Sequence, residues 1–558
     1  MSNQATKVKK VSTRLNLDGS HFSLFRFNDL VRGGGASLIL PLSDGVRKKL
    51  SVSADVVNDA LIDDQEVYGV TTGFGGMSNQ RIGCEEATQL QSNLLTFLAA
   101  SAGDEIESMH TRGAMLLRAN VLLQGKSGVR ADVVEQLLRF FASGATPIVR
   151  ELGSIGASGD LLPLSTIARA VTGQSGRAKV RFNDVVINST EALEAIGLQP
   201  IKLRAKEGLA LVNGTSFSCS IAANSTLAAK QGLALSFAIQ TLLMTALKVD
   251  ANPFQPFVHA NKPHPGQIWS AKVILQLLQS APKTKGTRET VQDHYSLRCF
   301  PQYTGSIVEG IARVQQVVET EMNAVSDNPL IDPDSRQFFQ SGNFLGQYVG
   351  IAMDDLRRFI GLLTKHLDVQ IASLVAPEFN RGLNPSLRGN NDRSFNMGLK
   401  GLQICANSIM PMLTYLGNPI VEHFPTHAEQ FNQNINGLSW GAANMAWKSV
   451  GMFRQYLAVA SLFAIQAVDL RAKDELDHFD GRELLGESGR VFYDAVSEVV
   501  GVDPNRQKPY LFDDTDRWLE QDIENLANDI AIQGSLISSV EGISDSFEEF
   551  CTASRGGH

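Results

Sequence analysis

Along most of the chain apolar residues recur at the three-and-four spacing of an α-helix, not the strict alternation of a strand. Ile307, Ile311, Val314, Val317, Val318 and Met322 form one such stripe, which ends at the stop signal Asp327-Asn328-Pro329. Leu90, Leu94, Leu95, Phe97 and Leu98 form another. Further helices are expected over about 111–123, 132–141, 343–374, 396–416 and 440–470, and 208–248 reads as one or two long helices rich in Ala, Leu and Ser. Alternation is found at Val180 to Ile187, where Asn183-Asp184 would turn a short strand pair. Phe22 to about Leu50 reads as mixed, broken by Gly33-Gly34-Gly35. Long helices carrying small residues for close packing predict a mainly α protein: a long antiparallel helix bundle with a smaller mixed N-terminal lobe. Four segments follow: a flexible arm over 1–20, the N-terminal lobe over 21–212, the central bundle over 213–480 and charged peripheral helices over 481–558.

Composition narrows the class. At 558 residues the chain can build several cores, and 43% hydrophobic with 19% charged residues makes a core possible without a membrane. A net charge of −8 offers no basic excess to displace counterions, so nucleic acid is not an expected partner. Uncharged runs reach back from Lys230 to Glu207 and forward to Lys248, but Asn213, Ser216, Asn224, Gln240 and Thr245 interrupt them. Buried bundle helices are expected there, with no membrane partner. Met1 to Arg14 is polar and does not have the form of a signal peptide. The five cysteines are odd in number, with no C-x-x-C pair, and read as reduced, mostly buried thiols of a cytoplasmic protein.

The densest chemistry lies at Gly153-Ser154-Ile155-Gly156-Ala157-Ser158-Gly159-Asp160. It is not a G-x-S-x-G elbow, because Asp160 holds the place of the second glycine, and no G-K-[ST] follows for a phosphate cradle. Two readings remain on residue type: a structural turn ahead of a helix, in a chain that is only a helical scaffold, or a self-made electrophile. In the second, the Gly159 nitrogen attacks the Ala157 carbonyl carbon, and Ser158 loses its hydroxyl to leave an exocyclic methylene. Upstream, Tyr68-Gly69-Val70-Thr71-Thr72-Gly73-Phe74-Gly75-Gly76 is a loop mobile by composition. Polar clusters stand at Asn213-Gly214-Thr215, Gln292 to Cys299, Asp327-Asn328, Gly342-Asn343 and His427 to Asn434. Neither His423 with His427 nor His259 with His264 has the H-E-x-x-H form, so no metal is expected.

Taken together, Gly153-Ser-Ile-Gly-Ala-Ser-Gly-Asp160, Tyr68-Gly-Val-Thr-Thr-Gly-Phe-Gly75, Asn213-Gly-Thr, Tyr295-Ser-Leu-Arg298, Asp327-Asn-Pro-Leu, Gly342-Asn-Phe-Leu-Gly and Glu429-x-x-x-Gln433 resemble the aromatic amino acid ammonia-lyase and aminomutase family. The resemblance runs from about residue 22 to the end. It is greatest to the bacterial members acting on phenylalanine, and the long insertion of the plant enzymes is lacking. It implies a histidase/fumarase-like fold and a 4-methylideneimidazol-5-one group made from Ala157-Ser158-Gly159, with no external cofactor or metal.

The implied roles are specific. The substrate amine would add to the methylidene, and Tyr68 would remove the β-proton. Arg298 would clamp the carboxylate. Tyr295, Gln292, Asn328 and Asn213 would supply hydrogen bonds to the ring, the carboxylate and Arg298. Glu429 would contact the amino group with Gln433 beside it. Phe97 and Leu98 would face the substrate's aromatic ring, Leu94, Leu161, Phe344 and Ile404 would complete the apolar wall, and Lys400 would lie near the ring pocket. Family members acting on tyrosine tend to carry His at the position of Phe97, so phenylalanine is the implied substrate and trans-cinnamate and ammonia the products. An aminomutase or a tyrosine-accepting lyase is the alternative. The family further implies a homotetramer whose sites draw on more than one subunit.

Overall fold

A computed structural model describes residues 17–19, 21–33, 38, 40–279, 291–423, 427–503 and 505–555. Apart from 17–19, the arm expected over 1–20 lies outside the described residues. The protein is mainly α, as its periodicity predicts, and among the described residues its longest helices are Ser216–Ala246, Phe300–Asn323, Gln347–Val375 and Ser439–Leu476. The Phe300–Asn323 helix buries Ile307, Ile311, Val314, Val318 and Met322 in one stripe, while Val317 at its edge is half-buried. The Ser216–Ala246 helix is long and apolar enough to cross a membrane, yet 78% of its most apolar stretch is buried inside the protein. A helix apolar on every side is buried by its neighbours, and this one is a core helix.

The chain forms two compact units, each assembled from separated stretches. The first comprises residues 1–224, 317–351 and 420–444, and the second 225–316, 352–419 and 445–558. In the first, the Ala131–Ala142 helix turns Val133, Val134, Leu137, Leu138, Phe140 and Phe141 inward, and the Ser108–Leu123 helix is buried along almost its whole length. The small sheets also belong to it. Lys179–Phe182 pairs antiparallel with Val185–Asn188, and Asn183 and Asp184 both take positive φ (49° and 63°) as a two-residue hairpin turn of this hand requires.

Several boundaries differ from expectation for physical reasons. The run 208–248 is two helices, Glu207–Val212 and Ser216–Ala246, because Gly214 at φ +155° breaks the helical path. The helix expected from 396 starts at Lys400, since Gly398 is left-handed (φ +59°). The mixed stretch after Phe22 contains helices Leu24–Arg32 and Asp44–Ile62, started by the serine caps Ser23 and Ser43. A hairpin, Leu330–Asp332 with Gln337–Phe339, was not legible, its strands being too short for alternation to register. Of the cysteines only Cys219 and Cys551 are buried; Cys84, Cys299 and Cys405 are half-buried, so the expectation of mostly buried thiols is corrected. Phe97 likewise leaves the apolar stripe of its helix: Leu94, Leu95 and Leu98 are buried, but Phe97 is 56% exposed.

Candidate active site

The turn at Ala157-Ser158-Gly159 is held from both flanks. Gly156 and Gly159 are left-handed (φ +66° and +69°), and a Cβ on Gly159 would lie 2.2 Å from the carbonyl oxygen of Gly214, so only glycine fits. An isolated parallel bridge joins Gly159 to Gly214, and the Asp160 amide donates to the Gly214 oxygen at 2.8 Å. Ser154 Oγ donates to the Gly159 oxygen (3.0 Å) and accepts from the Gly156 amide (3.1 Å). The Gly346 amide donates to the Gly156 oxygen, and Leu438 to that of Ile155, each at 3.0 Å. Across the turn, Asn213 Nδ2 donates to both the carbonyl oxygen (3.0 Å) and Oγ (2.9 Å) of Ser158. One amide group thus touches both oxygens of the serine that the sequence singles out.

Buried charges lie behind this turn. Asp160 Oδ2 accepts from the Phe217 and Ser218 amides (3.1 and 2.7 Å) and from Ser218 Oγ (2.9 Å), capping the first turn of the Ser216–Ala246 helix. Burial pushes its pKa up to about 7. Arg118, fully buried, donates to the Ala210 oxygen (2.8 Å) and the Ser326 oxygen (2.9 Å), and its guanidinium fills the space a Gly214 side chain would need. Lys206 and Asp327 form an ion pair at 2.8 Å with both side chains inaccessible. Next to it, Asn328 Oδ1 accepts from the Ser341 amide (2.7 Å).

Tyr68 belongs to the same unit. Its hydroxyl accepts from the Gly75 amide at 3.0 Å, folding the glycine-rich loop back on itself, with Phe74 edge-on at 6.5 Å. Glu429 closes on that loop. A Cβ on Gly75 would stand 1.4 Å from Glu429 Oε2, so the carboxylate occupies the space the missing side chain leaves. Glu429, Gln430 and Phe431 all take positive φ (49°, 51° and 66°), an unusual run for residues with side chains. Mutual amide bonds between Ala428 and Gln433 (3.0 and 3.2 Å) close the turn. The Tyr68 pKa is raised, by burial first and also by the charge of Glu429, against the lowering effect of the Gly75 amide. Burial likewise raises Glu429.

The remaining expected residues lie as follows. Leu94 and Leu98 are buried and Phe97 exposed at the end of the Ala87–Phe97 helix; Leu161 and Phe344 are half-buried. In the second unit, Arg298 lies over the Tyr295 ring, 4.7 Å from its centroid, on the one-turn helix Tyr295–Arg298, and Gln292 is exposed just before it. Lys400 and Ile404 are exposed one turn apart on the Lys400–Leu416 helix. The described contacts therefore join Ser158 to Asn213, Tyr68 to Glu429 through Gly75, and Tyr295 to Arg298. Sequence reasoning missed Arg118, although a lone charge inside Met115-Leu116-Leu117-Arg118-Ala119 is a signal that a buried partner set exists. Asp160 belongs to the motif that carries the resemblance, but its bonds to the start of the Ser216–Ala246 helix were not foreseen. Among the described residues, no group of three or more His, Cys, Asp and Glu side chains is arranged to hold a metal ion.

A mainly helical protein with an Ala-Ser-Gly turn pinned in this way falls in a recognisable class, and comparison with known proteins identifies it. The family model for aromatic amino acid lyases matches residues 26–498, and the chain belongs to that family. It is 45% identical over 523 residues, 92% of each chain, to a phenylalanine ammonia-lyase of Nostoc punctiforme. Among solved structures it is similar to the phenylalanine aminomutase of Pantoea agglomerans (TM-score 0.82, 27% identity, 91% of this chain and 97% of that one). It is also similar to the histidine ammonia-lyase of Trypanosoma cruzi (TM-score 0.82, 27% identity, 96% and 97%).

Proposed function

We propose that this ammonia-lyase acts on L-phenylalanine, releasing trans-cinnamate and ammonia, as a cytoplasmic homotetramer. The observation that carries the reading is the constellation at Ser158: a left-handed, Cβ-free Gly159, a small Ala157 and a side-chain amide on both serine oxygens. These residues fit a 4-methylideneimidazol-5-one. Its formation joins the Gly159 nitrogen to the Ala157 carbonyl carbon and expels two waters, one from that carbonyl and one from the Ser158 hydroxyl. When formed, such a group supplies an electrophilic carbon that turns the substrate amine into a better leaving group.

The chain's own groups do the rest. Tyr68 takes the β-proton, Glu429 accepts hydrogen bonds from the amine with Gln433 beside it, and Asn213 donates to the ring. Arg298 presents its planar fork to the carboxylate, with Tyr295, Gln292 and Asn328 around it. Phe97, Leu98, Leu94, Leu161, Phe344 and Ile404 exclude water from the aromatic ring, with Lys400 near the rim. The tetramer with shared sites is supported by the exposed Ile404, Met412 and Tyr415 on the Lys400–Leu416 helix, an apolar display suited to burial against another copy.

Pure enzyme assayed side by side with phenylalanine, tyrosine and histidine, following each acrylate by absorbance, tests the reading. Preference for phenylalanine is expected, and no cinnamate would overturn it. β-Phenylalanine as the main product would make the chain an aminomutase, the activity named for the Pantoea agglomerans neighbour.

A further inference from the structure

The one-turn helix Tyr295–Arg298 has four residues. So short a helix has little cooperativity of its own; its C-terminal end runs through Cys299 into the Phe300–Asn323 helix, and its N-terminal end is braced by other segments. The brace begins two residues before Tyr295. The Asp293 side chain is inaccessible to solvent and pairs with the Arg381 guanidinium through Oδ1, while Oδ2 accepts from the Asp250 amide at 3.0 Å. Arg381 is anchored in turn: its Nη1 donates to the Lys248 oxygen at 2.7 Å, and its own carbonyl accepts from the fully buried Arg471 at 3.0 Å. On the turn itself, Gln370 Nε2 donates to the Ser296 oxygen at 2.8 Å, and Leu297 is buried. Tyr295, by contrast, is 73% exposed, so the turn is fixed on one side and presents the other.

We propose that Arg381 is a positioning residue that sets the aim of the Tyr295–Arg298 pair on the substrate carboxylate through its ion pair with Asp293. The proposal rests on the phenylalanine-lyase reading. A bidentate guanidinium–carboxylate contact tolerates little angular error, and a displacement of about 1 Å near a reacting group costs up to ~10²-fold. The segment also has room to shift. A cavity of about 140 Å³ is bordered by Gln292, His294, Leu297, Phe379 and Arg381. Without Arg381, the buried Asp293 carboxylate would lose that ion pair, and the segment could shift toward this space.

The test uses the full-length enzyme with Arg381→Met and Arg381→Lys. It compares KM and kcat for phenylalanine with competitive inhibition by trans-cinnamate and by cinnamyl alcohol, which lacks the carboxylate. For Arg381→Met, KM and the cinnamate inhibition constant are expected to rise about tenfold or more. Inhibition by cinnamyl alcohol should hardly change, and Arg381→Lys should recover most of the loss. Equal weakening of both inhibitors, a loss confined to kcat, or no change would overturn the proposal. If Arg381→Met does not fold, Asp293→Asn, which keeps the shape and removes the charge, must give the same separation of the two inhibitors, and its failure to do so overturns the proposal equally. Wild-type enzyme without phenylalanine turnover would end both readings; normal wild-type turnover with unselective variants would end this one alone.

Discussion

Asn213 Nδ2 contacts Ser158 twice, at its carbonyl oxygen and at its hydroxyl. A donor so placed can hold the serine while the turn closes and afterwards face the oxygen of the closed ring. Intact mass of the wild type should fall below the sequence mass by two waters, and Ser158→Ala should abolish the loss that leaves the methylene. Asn213→Ala should lower turnover by about 10²-fold, the usual cost of one preorganised donor. Full turnover together with complete water loss in Asn213→Ala would show that the contact has no part in the chemistry.

In the proposed pocket Phe97 faces the substrate ring, and it is the residue to alter. It ends its helix 56% exposed, unlike Leu94 and Leu98. A phenol hydroxyl against a phenyl ring would be left unpaired, at about 1–3 kcal/mol, or roughly one to two decades in preference. Phe97→His should move the ratio of kcat/KM values toward tyrosine by about that much. An unchanged ratio would place Phe97 outside the pocket.

The stripe from Ile307 to Met322 could be read directly because a helix buried on one face must repeat its apolar residues. The Leu330–Asp332 hairpin could not, since three residues carry no period. The helices after Ser23 and Ser43 were missed although both serines accept from an amide three residues on, a capping signal that was there to use. Ala157-Ser158-Gly159 stood out by residue type, whereas its contact with Asn213 is a product of folding across 55 residues. The left-handed turn at Glu429 is least legible of all. Nothing in Glu-Gln-Phe asks for positive φ, so surrounding contacts, not local preference, must hold it.

Asp160 gives a pH dependence of stability with a definite sign. Its pKa is raised from 3.8 to about 7 by burial, and Oδ1 has no hydrogen-bond partner among the described residues. Between about pH 4 and 7 the unfolded chain gives up this proton while the folded protein keeps it, so this group's contribution to stability falls as pH rises through that window. Asp160→Asn keeps an acceptor for the Phe217 and Ser218 amides and removes the charge. The decline in Tm across that range should be shallower in the variant than in the wild type; parallel curves would refute the assignment.

Tyr68 and Glu429 set the opposing demands of the proposed reaction. Proton removal needs the phenolate, yet burial and the Glu429 carboxylate both raise the Tyr68 pKa, while the Gly75 amide favours the charged form. The limb of the kcat/KM profile that Tyr68 governs should therefore rise toward alkaline pH. Glu429→Gln removes the negative charge while keeping the side chain's shape beside Gly75, so that limb should move to lower pH even as the maximal rate drops with the loss of the amine contact. Tyr68→Phe should lower turnover by at least ~10²-fold at every pH, the usual yield of a positioned general base. A limb that stays in place or moves to higher pH in Glu429→Gln would uncouple the two residues, and near wild-type turnover in Tyr68→Phe would remove the base from this loop.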